Sequence, residues 1–495
     1  MSKYIPKSKD FLDLISKRIE ILVGLVYLYL VQKIAYPINF QQDDVSELKV
    51  INFEQFSCAA IQGDNHPLFT NLIWFISRVS KQNIEYIISS LNILITLFSI
   101  LFLYRLIKKY TNEQIALLTS IIFLSSENLI VYSISIKQYP LEILGSIFFL
   151  YLLYEEIIQH SKVINNYKNI VFAILLATAS LTLLILLFVT LFLIVMFKRA
   201  NLKNIMKSLV LFSPSFYFVP NVLDKLNRPS YREYWYDFFV NTSSIDQTLE
   251  SISFIFNLVM KGYFGFFYYE RLAFIYFIFL LLPLFFKDKT SLPAYFIVLI
   301  FIFFNFLKLY PLGGGRTDLI LFPTLLFLIS RSFSVLKLKK QFTTTLIITL
   351  FVLIPFINDP YYKIENMTPI LEDISTSINN DSAYIIPMND QKSSFEYYSA
   401  ILYGSTEITT KNGCKYLVPN VNNYNIFFPE TEERWNKIYQ TFNSEKLSEL
   451  YLIGIELDGT QGQIRDAESY LINLGFNKVY EKNYDVGMLL IKYIK

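Results

Sequence analysis

The chain has 495 residues, of which 53% are hydrophobic, 17% aromatic and only 17% charged, with a net charge of +3. A soluble globule carries about 25% charged residues, so this composition, with a mean hydropathy of +0.39, argues against a soluble protein and for an integral membrane protein. The small net charge, with no basic block, argues against nucleic acid as a partner. Two cysteines, Cys58 and Cys414, and two histidines, His66 and His160, argue against a disulfide framework, a thiolate metal site or a histidine-built metal centre.

Residues 1–18 form a basic head that runs into a long apolar segment without a small-residue cleavage site, which reads as a retained anchor. A helix needs about 20 residues to cross the hydrocarbon. Spans are expected near 20–37, 84–104, 114–132, 139–157, 168–181, 183–197, 207–221, 271–286, 291–308, 317–333 and 341–357. Residues 168–197 are long enough for one tilted helix, but Thr178-Ala179-Ser180 divides them. Residues 250–267 read as a helix on the membrane surface, because Lys261, Gly262 and Gly265 interrupt the apolar run.

Basic residues collect in cytoplasmic loops of membrane proteins. Arg105, Lys108 and Lys109 mark one loop; Lys198, Arg199, Lys203 and Lys207 a second; Lys287 and Lys289 a third; Arg331, Lys337, Lys339 and Lys340 a fourth. With the division and the surface helix above, all four loops and the N-terminus fall on the cytoplasmic side. Segments 38–83, 133–138, 222–270, 309–316 and everything after 357 then lie outside.

Beyond residue 357 the composition changes. Charges become frequent, and short β-rich runs at 383–387, 424–428 and 450–454 alternate with helical patterns at 366–378, 431–447 and 463–474. This alternation predicts a small extracytoplasmic α/β domain over 358–495, after a membrane domain over 1–357.

Four outer segments carry polar residues. The first, within 38–68, holds Asp43-Asp44 and Glu47; acids of this kind either catalyse or only keep a loop in water. Asp64-Asn65-His66-Pro67-Leu68 carries a helix-start proline with capping residues before it, and also reads as the start of an interfacial helix. Residues 132–142 hold Lys137, Gln138 and Tyr139; the lysine either snorkels or grips a lipid-linked phosphate. Residues 310–318 hold Gly313-Gly314-Gly315 and Arg316, whose planar fork suits phosphate oxygens. A flexible turn with Arg316 paired to Asp318 is the plainer reading there.

An acidic pair after the first span, then His66-Pro67-Leu68, then Tyr132-Ser133 with Lys137-Gln138-Tyr139 ahead of a membrane helix resembles the C-type integral-membrane glycosyltransferases. Protein O-mannosyltransferases and lipid A aminoarabinose transferases belong to that group. The resemblance covers most of 1–357 and implies a polytopic α-helical membrane domain of about 11 transmembrane helices, followed by the small α/β domain. It further implies transfer of a sugar from a polyprenyl-phosphate donor to a hydroxyl acceptor (glycan, lipid or protein) on the outer face of the bilayer.

On this resemblance Asp43 matches the general base, and Asp44 stands where many members have glutamate. His66 and Pro67 match a His-Pro-Pro motif whose last proline is Leu68 here, and Lys137 matches a basic residue of the third motif. Lys137 and Arg316 would stabilise the departing phosphate, with His66, Gln138 and Tyr139 lining the substrate. A single displacement would invert the anomeric centre. A divalent metal is compatible with the acids, but no ligand pattern calls for one. A transporter or lipid flippase is the competing class. Such proteins place ionisable residues near the bilayer midplane on repeated, interrupted helices; here the charges gather at the outer ends and no repeat is visible.

Overall fold

The structure is a computed structural model. It describes residues 8–35, 67–80, 84–161, 163–198, 235–264, 273–314, 317–337, 345–347, 349, 367–377, 383–387, 395, 398–399, 405–409, 415–419, 425–426, 449–455, 461–484 and 488–495. The chain divides into two compact units. One holds the N-terminal helix and the helices from Tyr86 to Pro360, and the other holds Tyr361–Lys495 with Thr70–Glu85.

The helical elements are α1 (Ser8–Ala35), α2 (Pro67–Val79), α3 (Ile84–Tyr110), α4 (Glu113–Leu124), α5 (Glu127–Ile134), α6 (Tyr139–Ile157), α7 (Tyr167–Ala177), α8 (Leu181–Lys198), α9 (Ile245–Phe264), α10 (Ala273–Phe285), α11 (Leu292–Phe306) and α12 (Phe322–Val335). Their starts carry local reasons. Asn112 accepts from the Ile115 amide and Asn166 from the Lys168 amide. Pro140, Pro293 and Pro323 occupy first-turn positions, where a missing N–H costs nothing. The start of α2 at Pro67 agrees with the helix-start signal there.

The span expected at 139–157 coincides with α6, and the division at 178–180 separates α7 from α8. Ser180 makes that break: its hydroxyl accepts from the Leu183 amide at 3.1 Å and opens the next helix. The span expected at 114–132 is instead two helices bent by 67°. Ser125 donates back to the Ile121 carbonyl at 2.7 Å, while Ser126 accepts from the Leu129 amide at 3.3 Å. Each serine satisfies one of the two broken ends. Among the described residues, Ile84–Tyr110 and Lys289–Phe306 are long and apolar enough to cross a membrane, and the bent pair would be a third. Residues 207–221 and most of 341–357 lie outside the described residues.

One continuous apolar cluster joins α1, α3–α9, α11 and α12. Between lipid-facing helices such packing comes from close van der Waals fit rather than from expelling water. Gly145 of α6 shows the fit: a Cβ there would come within 2.6 Å of the Leu183 side chain on α8.

The second unit carries α13 (Thr368–Ser377), α14 (Gln461–Asn473) and strands β1 (Ala383–Pro387), β2 (Ser405–Thr409), β3 (Lys415–Pro419), β4 (Asn425–Ile426), β5 (Glu449–Ile455), β6 (Asn477–Asn483) and β7 (Met488–Ile494). Five strands form a mixed sheet in the order β4-β1-β5-β7-β6, and β2 and β3 pair as a separate antiparallel ribbon. Side chains alternate across a strand, and β5 obeys this. Leu450 and Leu452 pack with α14 residues Ala467 and Leu471, while Tyr451 and Ile453 pack with Ile370, Leu371 and Ile374 of α13. The pairing Leu450↔Tyr493, Leu452↔Ile491 and Ile453↔Leu490 carries the same alternation into β7. The expected runs at 383–387, 424–428 and 450–454 thus contain strands. The helical pattern at 431–447 lies outside the described residues.

Candidate active site

Two stretches of the helical unit build the site: the turn between α5 and α6, and the turn that follows α11. Helix α5 ends at Ile134 and leaves its last carbonyls without helical partners. Polar side chains of α3 take the last of these and two carbonyls just beyond it. Ser89 donates to the Ile134 carbonyl at 2.5 Å, and the Asn92 Nδ2 donates to the carbonyls of Ser135 at 2.6 Å and Lys137 at 3.1 Å. Three residues apart, Ser89 and Asn92 lie on one face of α3. They hold the backbone of 134–137 to that face.

Lys137, Gln138 and Tyr139 are all buried on this segment. The Tyr139 ring lies 4.5 Å from the Tyr132 ring. Glu142 sits in the first turn of α6, where the helix dipole favours a carboxylate. It is buried, and its Oε1 accepts from the Gln138 Nε2 at 3.4 Å. The Gln138 Oε1 is buried without a hydrogen-bond partner.

The second stretch is tied by Asn305 near the end of α11. Its Oδ1 accepts from the Val240 amide at 2.9 Å, and its Nδ2 donates to the carbonyls of Phe238 at 2.7 Å and Tyr310 at 3.1 Å. The Tyr310 hydroxyl donates to the Thr317 carbonyl at 2.7 Å. The buried Asp318 carboxylate accepts the Gly313 amide at 2.9 Å with both oxygens. Gly313 has φ +91°, a conformation that side chains other than glycine rarely adopt. Tyr310–Asp318 is therefore a closed turn, with its carboxylate used to hold backbone.

Tyr263 of α9 joins the two stretches. Its hydroxyl lies in the electrostatic field of Asp318, Tyr132, Tyr310 and Glu142, and its ring stacks on Phe322 at 4.4 Å. Burial, and then Asp318, push this hydroxyl well above the ordinary tyrosine range. The 3-10 turn Thr317–Ile320 also packs against α6. Residues 132–142 and 310–318 thus meet at one end of the helical unit.

The structure brings together Lys137, Gln138 and Tyr139 on one segment. Asp43, Asp44, His66 and Arg316 themselves lie outside the described residues. Sequence reasoning passed over Asn92, Glu142 and Tyr263. An amide inside the apolar α3 and an acid two residues after Pro140 were the available signals, since polar groups inside apolar helices are costly unless used. Tyr263 carried no such signal in a chain with 36 tyrosines. Among the described residues, no group of three or more histidine, cysteine or acidic side chains is arranged to hold a metal.

No protein-family model matches the sequence, and no curated protein matches it either. Solved structures do. The chain is similar to ArnT from Cupriavidus metallidurans in the apo state, at 10% identity and a TM-score of 0.50, over 96% of this chain and 97% of that one. It is also similar to the same protein bound to undecaprenyl phosphate, at 11% identity and a TM-score of 0.48, over 95% and 97%. The oligosaccharyltransferase of Archaeoglobus fulgidus, in complex with zinc and sulfate, matches at 11% identity and a TM-score of 0.46, over 88% of this chain and 67% of that one. At these identities the likeness is one of fold, carried by the first of the three. At that level the resemblance expected from the sequence is met.

Proposed function

We propose that this chain is an integral-membrane glycosyltransferase that moves a sugar from a polyprenyl phosphate to a hydroxyl acceptor. The observation that carries the reading is Lys137: a buried lysine on a backbone gripped by α3. A fold like that of ArnT supports it, and ArnT itself has been crystallised with undecaprenyl phosphate.

On this reading residues 1–357 form the membrane domain, with about 11 spans and the outer loop 38–83. Residues 358–495 form the extracytoplasmic α/β domain. The N-terminus is cytoplasmic. Asp43 removes the proton from the acceptor hydroxyl as its oxygen attacks the anomeric carbon, and Asp44 orients that hydroxyl. The bond from the anomeric carbon to the phosphate oxygen breaks, and the electron pair leaves with the phosphate. Lys137 and Arg316 stabilise the charge that gathers there. His66, Gln138 and Tyr139 contact the substrate. Attack from the face opposite the leaving group inverts the anomeric centre.

The test is single-turnover transfer from a labelled undecaprenyl-phosphate sugar. Asp43→Asn keeps expression and donor binding, because the amide nearly matches the carboxylate in size, but it cannot accept the proton. Transfer falls by roughly 10²–10⁴, the range of general-base catalysis. Unchanged transfer in Asp43→Asn, Asp44→Asn and the double variant would place the chemistry elsewhere.

A further inference from the structure

We propose that Asn92 is the positioning residue for Lys137, acting on its backbone rather than on substrate. This rests on the reading of Lys137 as a ligand of the donor phosphate. Asn92 is fully buried in α3, a 27-residue helix apolar enough to cross a membrane. An amide there must use its polar groups or lose their hydration for nothing. Its Nδ2 spends both hydrogens on two carbonyls, those of Ser135 at 2.6 Å and Lys137 at 3.1 Å. Its Oδ1 is buried without a hydrogen-bond partner, so the residue is retained at a cost that an apolar side chain of the same shape would avoid.

The place of those two bonds is what distinguishes a positioning role from helix-to-helix adhesion. Ser89, one turn earlier on the same face, already ties α3 to the Ile134 carbonyl. Asn92 adds nothing to α5 itself. It brackets Ile136 and fixes the peptide that leads out of Lys137. The segment Ser135–Gln138 has no regular secondary structure to set its dihedrals before α6 begins. A lysine side chain has four rotatable bonds, so the direction of its ammonium depends on where its backbone is pinned. Two donors from one rigid helix supply that pin.

The experiment uses the full-length protein in nanodiscs with undecaprenyl phosphate as the probe. Affinity is measured for the parent, Lys137→Ala, Asn92→Leu and the double variant, with thermal unfolding recorded beside each. Leucine matches the branched end of asparagine and donates nothing. Asn92→Leu should weaken binding by about tenfold or more, and the double variant should bind no more weakly than Lys137→Ala alone. That non-additivity is the signature of one residue acting through the other. A merely structural Asn92 would lower the unfolding temperature and leave affinity unchanged, or add its loss to that of Lys137→Ala; either result overturns the proposal while the phosphate reading stands. Unchanged affinity in Lys137→Ala overturns the phosphate reading, and the proposal with it. Should Asn92→Leu fail to fold, Asn92→Ser, which can hold one carbonyl at most, replaces it in the same cycle, with a smaller loss and the same non-additivity expected.

Discussion

The two ends of the helical unit are held in different ways. Helices α3, α6 and α12 each contribute to both. At one end Arg331 makes a two-pronged ion pair with Asp288, at 2.8 and 2.9 Å, and donates a further bond to the Tyr110 carbonyl. Lys109 pairs with the buried Glu155, which also accepts from the Tyr110 hydroxyl at 3.1 Å and from Ser161 at 3.1 Å. At the other end Ser89, Asn92, Asn305 and Tyr310 hold backbone carbonyls and amides through neutral bonds. Asn92 and Tyr110 are 18 residues apart on α3, about 27 Å along the helix. The first end is thus closed by charges that satisfy one another. The second is held chiefly through backbone groups, the Asp318 carboxylate among the acceptors.

The largest expected effect lies at the ion-paired end. Arg331 and Asp288 side chains are 12% and 9% exposed. Removing one partner strands the other, so Arg331→Ala should cost about 3–5 kcal/mol in detergent unfolding. Arg331→Met with Asp288→Asn should recover most of that, since no charge is left buried and the asparagine still caps the turn after it. If the single variant unfolds like the parent, the ends do not differ as described.

A smaller loss is expected at the other end. Ser89→Ala removes one neutral bond to the Ile134 carbonyl and should cost about 0.5–1.5 kcal/mol. Equal costs for Ser89→Ala and Arg331→Ala would erase the contrast between the two ends.

The smallest effect belongs to the second unit and calibrates both. Asp373 accepts from Lys482 and from the Tyr484 hydroxyl at the surface, and these bonds, Lys482 first, hold its carboxyl below the usual range. A lowered folded-state value means that the contact stabilises above the ordinary carboxylate pKa, near about 4, and is lost as pH falls through the folded value. Asp373→Asn should therefore lower the unfolding temperature slightly at pH 7 and leave no difference from the parent in strong acid. An equal gap at both pH values would show that charge plays no part.

Much of this was legible from residue order. Pro67 announced the start of α2, and Thr178-Ala179-Ser180 announced the α7–α8 break, because proline and serine act locally. The bend at Ser125-Ser126 was not, since two serines in an apolar run can equally bond back within one continuous helix. Asn92 and Tyr263 were hidden for a different reason: their work is done on residues 43–55 positions away in sequence, at the Ser135 carbonyl and in the field of Asp318. In the second unit, β5 showed itself as a short, continuous β-rich apolar run, packed on both faces. Strand β6, exposed along its whole length, had no such run to show.

The break after α7 has one further consequence. Its carbonyl at Thr178 accepts the amide of Leu68 at 3.0 Å, so the residue that follows His66-Pro67 is anchored by a helix end made much later. During synthesis the ribosome has delivered the whole stretch from 38 to 68 long before residue 178 exists. Until α7 has formed, that anchor is absent. The start of α2 is then fastened late in biogenesis, by a helix end made after four intervening helices, and a nascent chain cut short before residue 178 would lack the anchor at Leu68.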